Sequence, residues 1–200
     1  MMQNRMEVPE LYKEVNRLLT TKLLPKVTYR GVDKGRRNTF GWVNWMMKYV
    51  KPPHITPNNV KYGELYLALR RLGDKICPFA YDSITVNQCN VCPPHRDKGN
   101  LGLSMLVSGG DYEGGSFVLE GQEIDTKYKP YIFDGHRLHW NNPFTGFRWS
   151  IVFFKLEILP KWLSNFPDDV NDPERSWSLL DPILTWEEFL AQDSPHTTAA

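Results

Sequence analysis

The chain predicts a mainly β fold, a sandwich or jelly roll, with two helices ahead of it and packed on the sheet. Three observations carry that expectation. After Tyr81, short runs of β-branched and aromatic residues alternate with glycine-rich turns at roughly 8–12-residue spacing. Before Tyr81, two stretches place leucines at helical spacing. The length of 200 residues, with 41% hydrophobic and 24% charged content, suits one ordinary core with short appendages.

Taken in order, Val8 to Leu19 sets Leu11, Val15, Leu18 and Leu19 on one helical face, with Pro9 near the start and Pro25 as a stop. Val27 to Arg30 reads as a short strand and Gly31 to Arg37 as a flexible basic loop. Thr39 to Trp45 is aromatic and β-branched and reads as strand. Pro52, Pro53 and Pro57 mark a loop. Asn59 to Leu72 carries Leu65, Leu69 and Leu72 on one face and is expected to stop at Gly73. Ser83 to Val91 and Leu101 to Val107 alternate as strands. Gly109 to Gly115 reads as a turn cluster, after which Ser116 to Glu120 pairs back. Glu123 to Tyr128 and Tyr131 to Phe133 follow. Phe147 to Glu157 is expected to be the longest strand. Beyond Pro160, Thr185 to Glu188 resembles a capping box for one short helix, and Ser194 to Ala200 reads as a disordered tail. The organisation is thus an N-terminal helical and basic extension over 1–80, a β core over 81–159, and an acidic extension over 160–200, within one structural domain.

The bulk numbers exclude several classes. No apolar run approaches the roughly 20 residues that span a membrane. The start lacks an apolar signal core. Three cysteines, an odd number, argue against a disulfide framework and fit a reducing compartment. An intracellular, non-secreted, monomeric protein is expected, in bacterial or virus-infected cytoplasm or in a eukaryotic nucleus. The net charge of +1 is unevenly spread. Residues 1–80 hold 15 Lys/Arg against 6 Asp/Glu, a balance of +9; 81–159 balance to −2 and 160–200 to −6. The basic part fits a polyanion such as nucleic acid, or simply a solvated face.

The chemistry centres on Pro94-His95-Arg96-Asp97-Lys98-Gly99-Asn100. On a strand, residues two apart face the same side, so His95 and Asp97 aim one imidazole and one carboxylate at a single point. A second His from a neighbouring strand completes a 2-His-1-carboxylate facial triad, which leaves positions open on Fe(II). His-x-Asp alone is weak; a later His followed by an Arg sharpens it toward an iron oxygenase that uses 2-oxoglutarate. His136 and His139 compete for the third place. His136 follows Gly135 in a turn, and His139 lies nearer the strand of Arg148, which favours His139. His54 and His196 read as exposed. The Cys89-Asn90-Val91-Cys92 pair keeps a zinc or redox reading open, although on an extended strand the two thiols face opposite sides. Arg148 shares a strand face with Ser150 and Val152, against Trp149, Ile151 and Phe153. An Arg there is at least partly buried and needs an anion. Its rigid fork suits a bound carboxylate, or a structural Asp or Glu. Asn87 is a further donor toward a co-substrate.

These stretches resemble the TET/JBP family of dioxygenases, which depend on Fe(II) and 2-oxoglutarate and oxidise the 5-methyl group of pyrimidines in DNA. The likeness is carried by Val86-Asn87 through Asn100, Gly110 to Ser116, Phe133-Asp134-Gly135, His139 to Pro143 and Phe147 to Ile151, within a match from about Arg36 to Lys155. The resemblance implies a double-stranded β-helix, a distorted, cupin-like jelly roll. It implies iron on His95, Asp97 and His139, 2-oxoglutarate on Arg148 with Ser150 beside it, and a target base on Asn100, with O₂ as co-substrate. An asparagine amide offers both donor and acceptor to a pyrimidine edge. The chain departs from the family in a shorter run from His139 to Arg148, in lacking a cysteine-rich zinc region, and in Lys155-Leu156-Glu157 where animal members carry a late histidine. It looks like a minimal microbial, viral or phage version. The implied reaction is hydroxylation of 5-methylcytosine, with thymine in DNA, a prolyl-type protein hydroxylase, or a catalytically dead DNA-binding jelly roll as alternatives. The base must leave the stack to react, with Trp42 or Trp45 as stacking candidates. Arg30, Lys34, Arg36 and Arg37 are the expected phosphate contacts.

Overall fold

The computed structural model describes residues 8–29, 32–44 and 53–156. The expected helix at Thr185, the tail, Trp45, Arg30 and His196 lie outside the described residues. The architecture is two antiparallel sheets facing each other, with helices on the outer face of the larger one, a double-stranded β-helix.

Helix α1 spans Val8–Thr21 and buries Leu11, Val15, Leu18 and Leu19. Pro9 is tolerated because first-turn N–H groups have no intrahelical partner. The C-terminal end of α1 is tied to the sheet by one side chain. The Gln88 amide donates to the carbonyls of Leu19 and Lys22 and accepts from Leu24 N–H. This satisfies helix-end groups that would otherwise be stranded.

Strands β1 (Lys26–Tyr29) and β2 (Val32–Val43) form a hairpin. The flexible loop expected over 31–37 is therefore corrected: from Val32 onward it is strand. Pairing on both sides overrides a weak local pattern, with Arg36 opposite Lys26 on one edge and Gln88 on the other. Strand β3 (His54–Ile55) pairs with the end of β2. After the short helix α2 (Asn58–Lys61), α3 runs Gly63–Ile76. Gly73 does not stop it. It is a buried contact point, where an added Cβ would land on the Tyr81 hydroxyl and the Phe153 ring.

The larger sheet runs β1-β2-β4-β10-β5-β8, with β4 at Ser83–Gln88, β5 at Asn100–Gly114, β8 at Tyr131–Asp134 and β10 at Phe144–Leu156. The smaller sheet runs β7-β6-β9, from Gln122–Ile124, Phe117–Leu119 and His139–Asn141. Two expectations fail here. The segment after Ser116 does not pair back on β5 but enters the second sheet, against β7 and β9. The glycine cluster is not a turn: β5 continues through it and, at 15 residues, is longer than the 13 of β10. The glycines serve close approach instead. Gly109 lies where the Trp149 ring packs, and Gly110 (φ 109°) lies against the Phe147 carbonyl.

Strand β10 divides the molecule. Trp149, Ile151 and Phe153 join Phe40, Ile84, Val86, Met105 and Val107 under α1 and α3. Full burial of each such large side chain contributes roughly 1.5–3 kcal/mol. Arg148, Ser150, Val152 and Phe154 point the other way, into a cavity between the sheets. Trp42, a stacking candidate from the sequence, is buried in a small cluster with Phe154 and Leu156. Part of the N-terminal positive charge is met locally: Arg17 and Lys22 pair with Glu64, and Arg71 with Glu14. Among the described residues, no helix is long and apolar enough to cross a membrane.

Gly73→Ala should destabilise the fold by about 1–3 kcal/mol through overpacking. Urea unfolding checks this, with the larger effect expected on α3 and on Tyr81 burial.

Candidate metal centre and co-substrate pocket

The segment 92–97 is not the strand that side-chain alternation anticipates. It is a loop stitched to the smaller sheet. His95 N–H donates to the His139 carbonyl at 3.0 Å, and His139 N–H returns to the His95 carbonyl at 2.9 Å. Asp97 N–H reaches the Gly135 carbonyl at 2.8 Å. Cys92 N–H binds the Asn141 side chain at 2.7 Å, and the Arg96 guanidinium holds the His136 carbonyl at 2.8 Å. A loop with few bonds of its own borrows the ladder of β9. His95 and Asp97 still aim at one point because their backbones are paired two residues apart to one neighbouring segment.

That point is shared with His139. One ligand atom from each of His95, Asp97 and His139 lies within 4.8 Å of the others. His95 Nε2 is 3.7 Å from Asp97 Oδ1, and His139 Nε2 is 3.9 Å from Asp97 Oδ2. A metal at about 2.1 Å from each of three adjacent ligands would hold them roughly 3 Å apart, so small side-chain rotations close the set. Each ring is turned by the carbonyl two residues before it: His95 Nδ1 lies 2.7 Å from Pro93 O, and His139 Nδ1 2.8 Å from Arg137 O. A proton on each Nδ1 leaves both Nε2 lone pairs for a metal, the usual arrangement of ligating histidines. Burial holds the His139 imidazole below the ordinary histidine value, which keeps that lone pair free at neutral pH. The rings of Phe117 and Phe133 pack on His139 at 5.8 and 5.1 Å. The centre is graded toward solvent: the side chains of His95, Asp97 and His139 are 41%, 28% and 6% exposed.

His136 lies outside this set. It is exposed and its Nδ1 faces Asp134 Oδ1 at 2.9 Å. His54, expected to be exposed, is buried, because β3 folds it against β2. The strand expected through Val91 ends at Gln88, so Cys89 (φ 50°) and Cys92 lie on a loop, Cys89 exposed and Cys92 half-buried at the cavity. Burial pushes the Cys92 thiol up, away from thiolate chemistry. Among the described residues no cysteine joins a three-ligand group.

Away from His95, Asp97 and His139 the cavity, of about 140 Å³, meets Arg148. Arg148 is 3% exposed and stands over the rings of Tyr112 and Phe144 at 5.4 and 5.5 Å. Burial lowers its pKa and Tyr112 opposes that, yet a guanidinium remains cationic in proteins. No acidic side chain pairs with it among the described residues, and its Nε has no hydrogen-bond partner. A buried cation left this way fits an anionic ligand. Ser150 lies on the same face, with Asn87 Nδ2 3.4 Å from its hydroxyl, while Asn87 Oδ1 accepts from Asn90. Thus the donor set suits both a divalent metal and a carboxylate.

The remaining expected residues divide. Arg37 lines the cavity. Arg36 faces away and donates to the Leu24 carbonyl at 2.6 Å. The side chain of Lys34 lies outside the described residues. Asn100 lines the cavity but turns its amide nitrogen to Asp97 Oδ2 at 2.9 Å and Ser104 Oγ at 3.1 Å. Tyr112, Phe117, Phe133 and Gly135 were not anticipated as part of the site. Tyr112, Phe133 and Gly135 do fall in stretches that carry the resemblance, and Asp134-Gly135 is a usable turn signal, but their place beside His139, Asp97 and Arg148 is set by distances in space.

The two facing sheets, with the His95, Asp97 and His139 cluster and the buried Arg148 between them, form a double-stranded β-helix. Among solved structures with this fold, the chain is similar to NgTET1 in complex with 5mC DNA, at TM-score 0.52 and 14% identity over 75% of this chain and 67% of that one. It is also similar to an oxidoreductase of the 2OG-Fe(II) oxygenase family from Burkholderia pseudomallei, at TM-score 0.50 and 18% identity over 77% of this chain and 82% of that one. No family model and no curated protein sequence matches the chain.

His139→Ala should abolish stoichiometric Fe(II) binding, measured anaerobically by calorimetry, while His136→Ala should leave it unchanged. The reverse pattern would move the third ligand to His136.

Proposed function

We propose that the chain is a dioxygenase dependent on Fe(II) and 2-oxoglutarate that hydroxylates the 5-methyl group of 5-methylcytosine in DNA. One observation carries the reaction class: the His95, Asp97 and His139 cluster shares one cavity with a buried Arg148 that lacks an acidic partner. The base is supported by the resemblance of the motifs and by the similarity to a structure that contains 5mC DNA.

In this reading His95, Asp97 and His139 would hold Fe(II). Arg148 would pair with a carboxylate of 2-oxoglutarate, and Ser150, oriented by Asn87, would add a hydroxyl. Bound together, Fe(II) and 2-oxoglutarate supply the O₂ activation that converts a methyl C–H to C–OH, with succinate and CO₂ as co-products. Phe117 and Phe133 keep the buried side of His139 dry. The substrate enters beside His95, the most exposed ligand. A methyl group stacked inside a duplex cannot reach a metal held by these three side chains, so the base is flipped out. Arg37 at the cavity is the phosphate contact retained from the basic segment.

Purified protein incubated with Fe(II), 2-oxoglutarate and methylated DNA should yield 5-hydroxymethylcytosine by mass spectrometry of the bases. A hydroxymethyl product from thymine alone would transfer the assignment to thymine. No hydroxylated base together with succinate released on a peptide substrate would point to a protein hydroxylase. Arg148→Ala should raise the 2-oxoglutarate requirement on the order of ten- to a hundred-fold, as expected for a lost charge-assisted pair, with Fe(II) affinity retained.

A further inference from the structure

Asp97 is the only one of the three ligands whose side chain is not turned by the carbonyl two residues before it. Its backbone is tied to Gly135, but that bond leaves the carboxylate free to rotate. Two features hold it. The Asn100 amide donates to Asp97 Oδ2 at 2.9 Å and to Ser104 Oγ at 3.1 Å. On the other side Gly135 leaves room, since a Cβ there would stand 2.9 Å from Asp97 Oδ2 and 3.2 Å from Asn100 Nδ2. An ionised carboxylate only accepts, so the nitrogen of the amide must face it.

Asn100 is well placed to transmit rigidity. It begins β5, is buried, and sits opposite Leu156 of β10. Ser104, fully buried four residues further along β5, takes the second amide hydrogen. The chain of bonds thus runs from the larger sheet, through Ser104 and Asn100, to a carboxylate carried on a loop that is otherwise stitched to the smaller sheet. Both amide hydrogens are committed inside the protein, and only the carbonyl oxygen is left for the cavity.

From this geometry we infer that Asn100 is a positioning residue for the metal-binding carboxylate of Asp97, anchored by Ser104, rather than a group whose main work is to contact the base. The inference rests on the metal-centre reading above. It separates from a base-contact role because it acts before any substrate is present. Partners of metal-binding groups typically change affinity by 10- to 100-fold when removed.

The test is Co(II) titration of the full chain without 2-oxoglutarate or DNA, followed by calorimetry and by the visible absorption of bound Co(II). Wild type should bind one ion and His139→Ala none. Asn100→Ala should bind about 10- to 100-fold more weakly, with an altered Co(II) spectrum and an unchanged apo melting temperature. Wild-type affinity in Asn100→Ala would overturn the inference and leave the metal centre intact. Failure of wild type itself to bind would remove both. Should Asn100→Ala fail to fold, Ser104→Ala decides: several-fold weaker Co(II) binding supports the inference, and unchanged binding overturns it.

Discussion

The short ladder between 92–97 and 135–141 is the constraint on which the site depends. Four backbone hydrogen bonds, His95 to His139 in both directions, Asp97 to Gly135 and Asn141 to Cys92, carry His95 and Asp97 on a loop into register with His139 on β9. Remove that pairing and the two histidines have no reason to approach, because they lie in distant parts of the chain. The side-chain braces from Asn141 and Arg96 act on the same segment. The three side chains are therefore brought together by the same kind of bonding that pairs strands, even though one partner is not a strand.

A second constraint is the two-faced character of β10. Its apolar face is pressed onto the helices through Trp149, Ile151 and Phe153, and its other face lines the cavity with Arg148 and Ser150. The side chain of Arg148 cannot retreat, because a turn of the strand would bury polar atoms under α1 and α3 and expose large aromatic groups. Burial of the core thus holds a cation in the interior without an acidic partner among the described residues. Such a charge is costly by itself, and that cost is the physical argument for an anionic ligand at this place. The aromatic rings of Tyr112 and Phe144 soften the cost without removing it.

The charge asymmetry of the chain acquires more structure in this light. Several N-terminal cations are engaged with acids between α1 and α3, and Arg36 is spent on a backbone carbonyl. Among the described residues of the basic segment, Arg37 reaches the cavity. Adjacent arginines on one strand point to opposite faces, so their roles divide by the pleat and not by their shared charge.

Sequence alone determined the class of fold, the helical faces of α1 and α3, and the two faces of β10, because all of these follow from periodicities of 3.6 and 2 that survive in one dimension. It also singled out the residues that gather at the site, since His, Asp and Arg in that order are chemically distinctive. Tertiary structure decided the rest. It turned the 31–37 segment into strand through two-sided pairing, ran β5 through its glycines because Trp149 and Phe147 need the space, and kept α3 going past Gly73 for Tyr81 and Phe153. It buried His54, placed His139 and not His136 beside Asp97, and turned Asn100 toward a carboxylate. Each of these outcomes depends on which distant segment supplies the neighbouring atoms, and no local pattern encodes that.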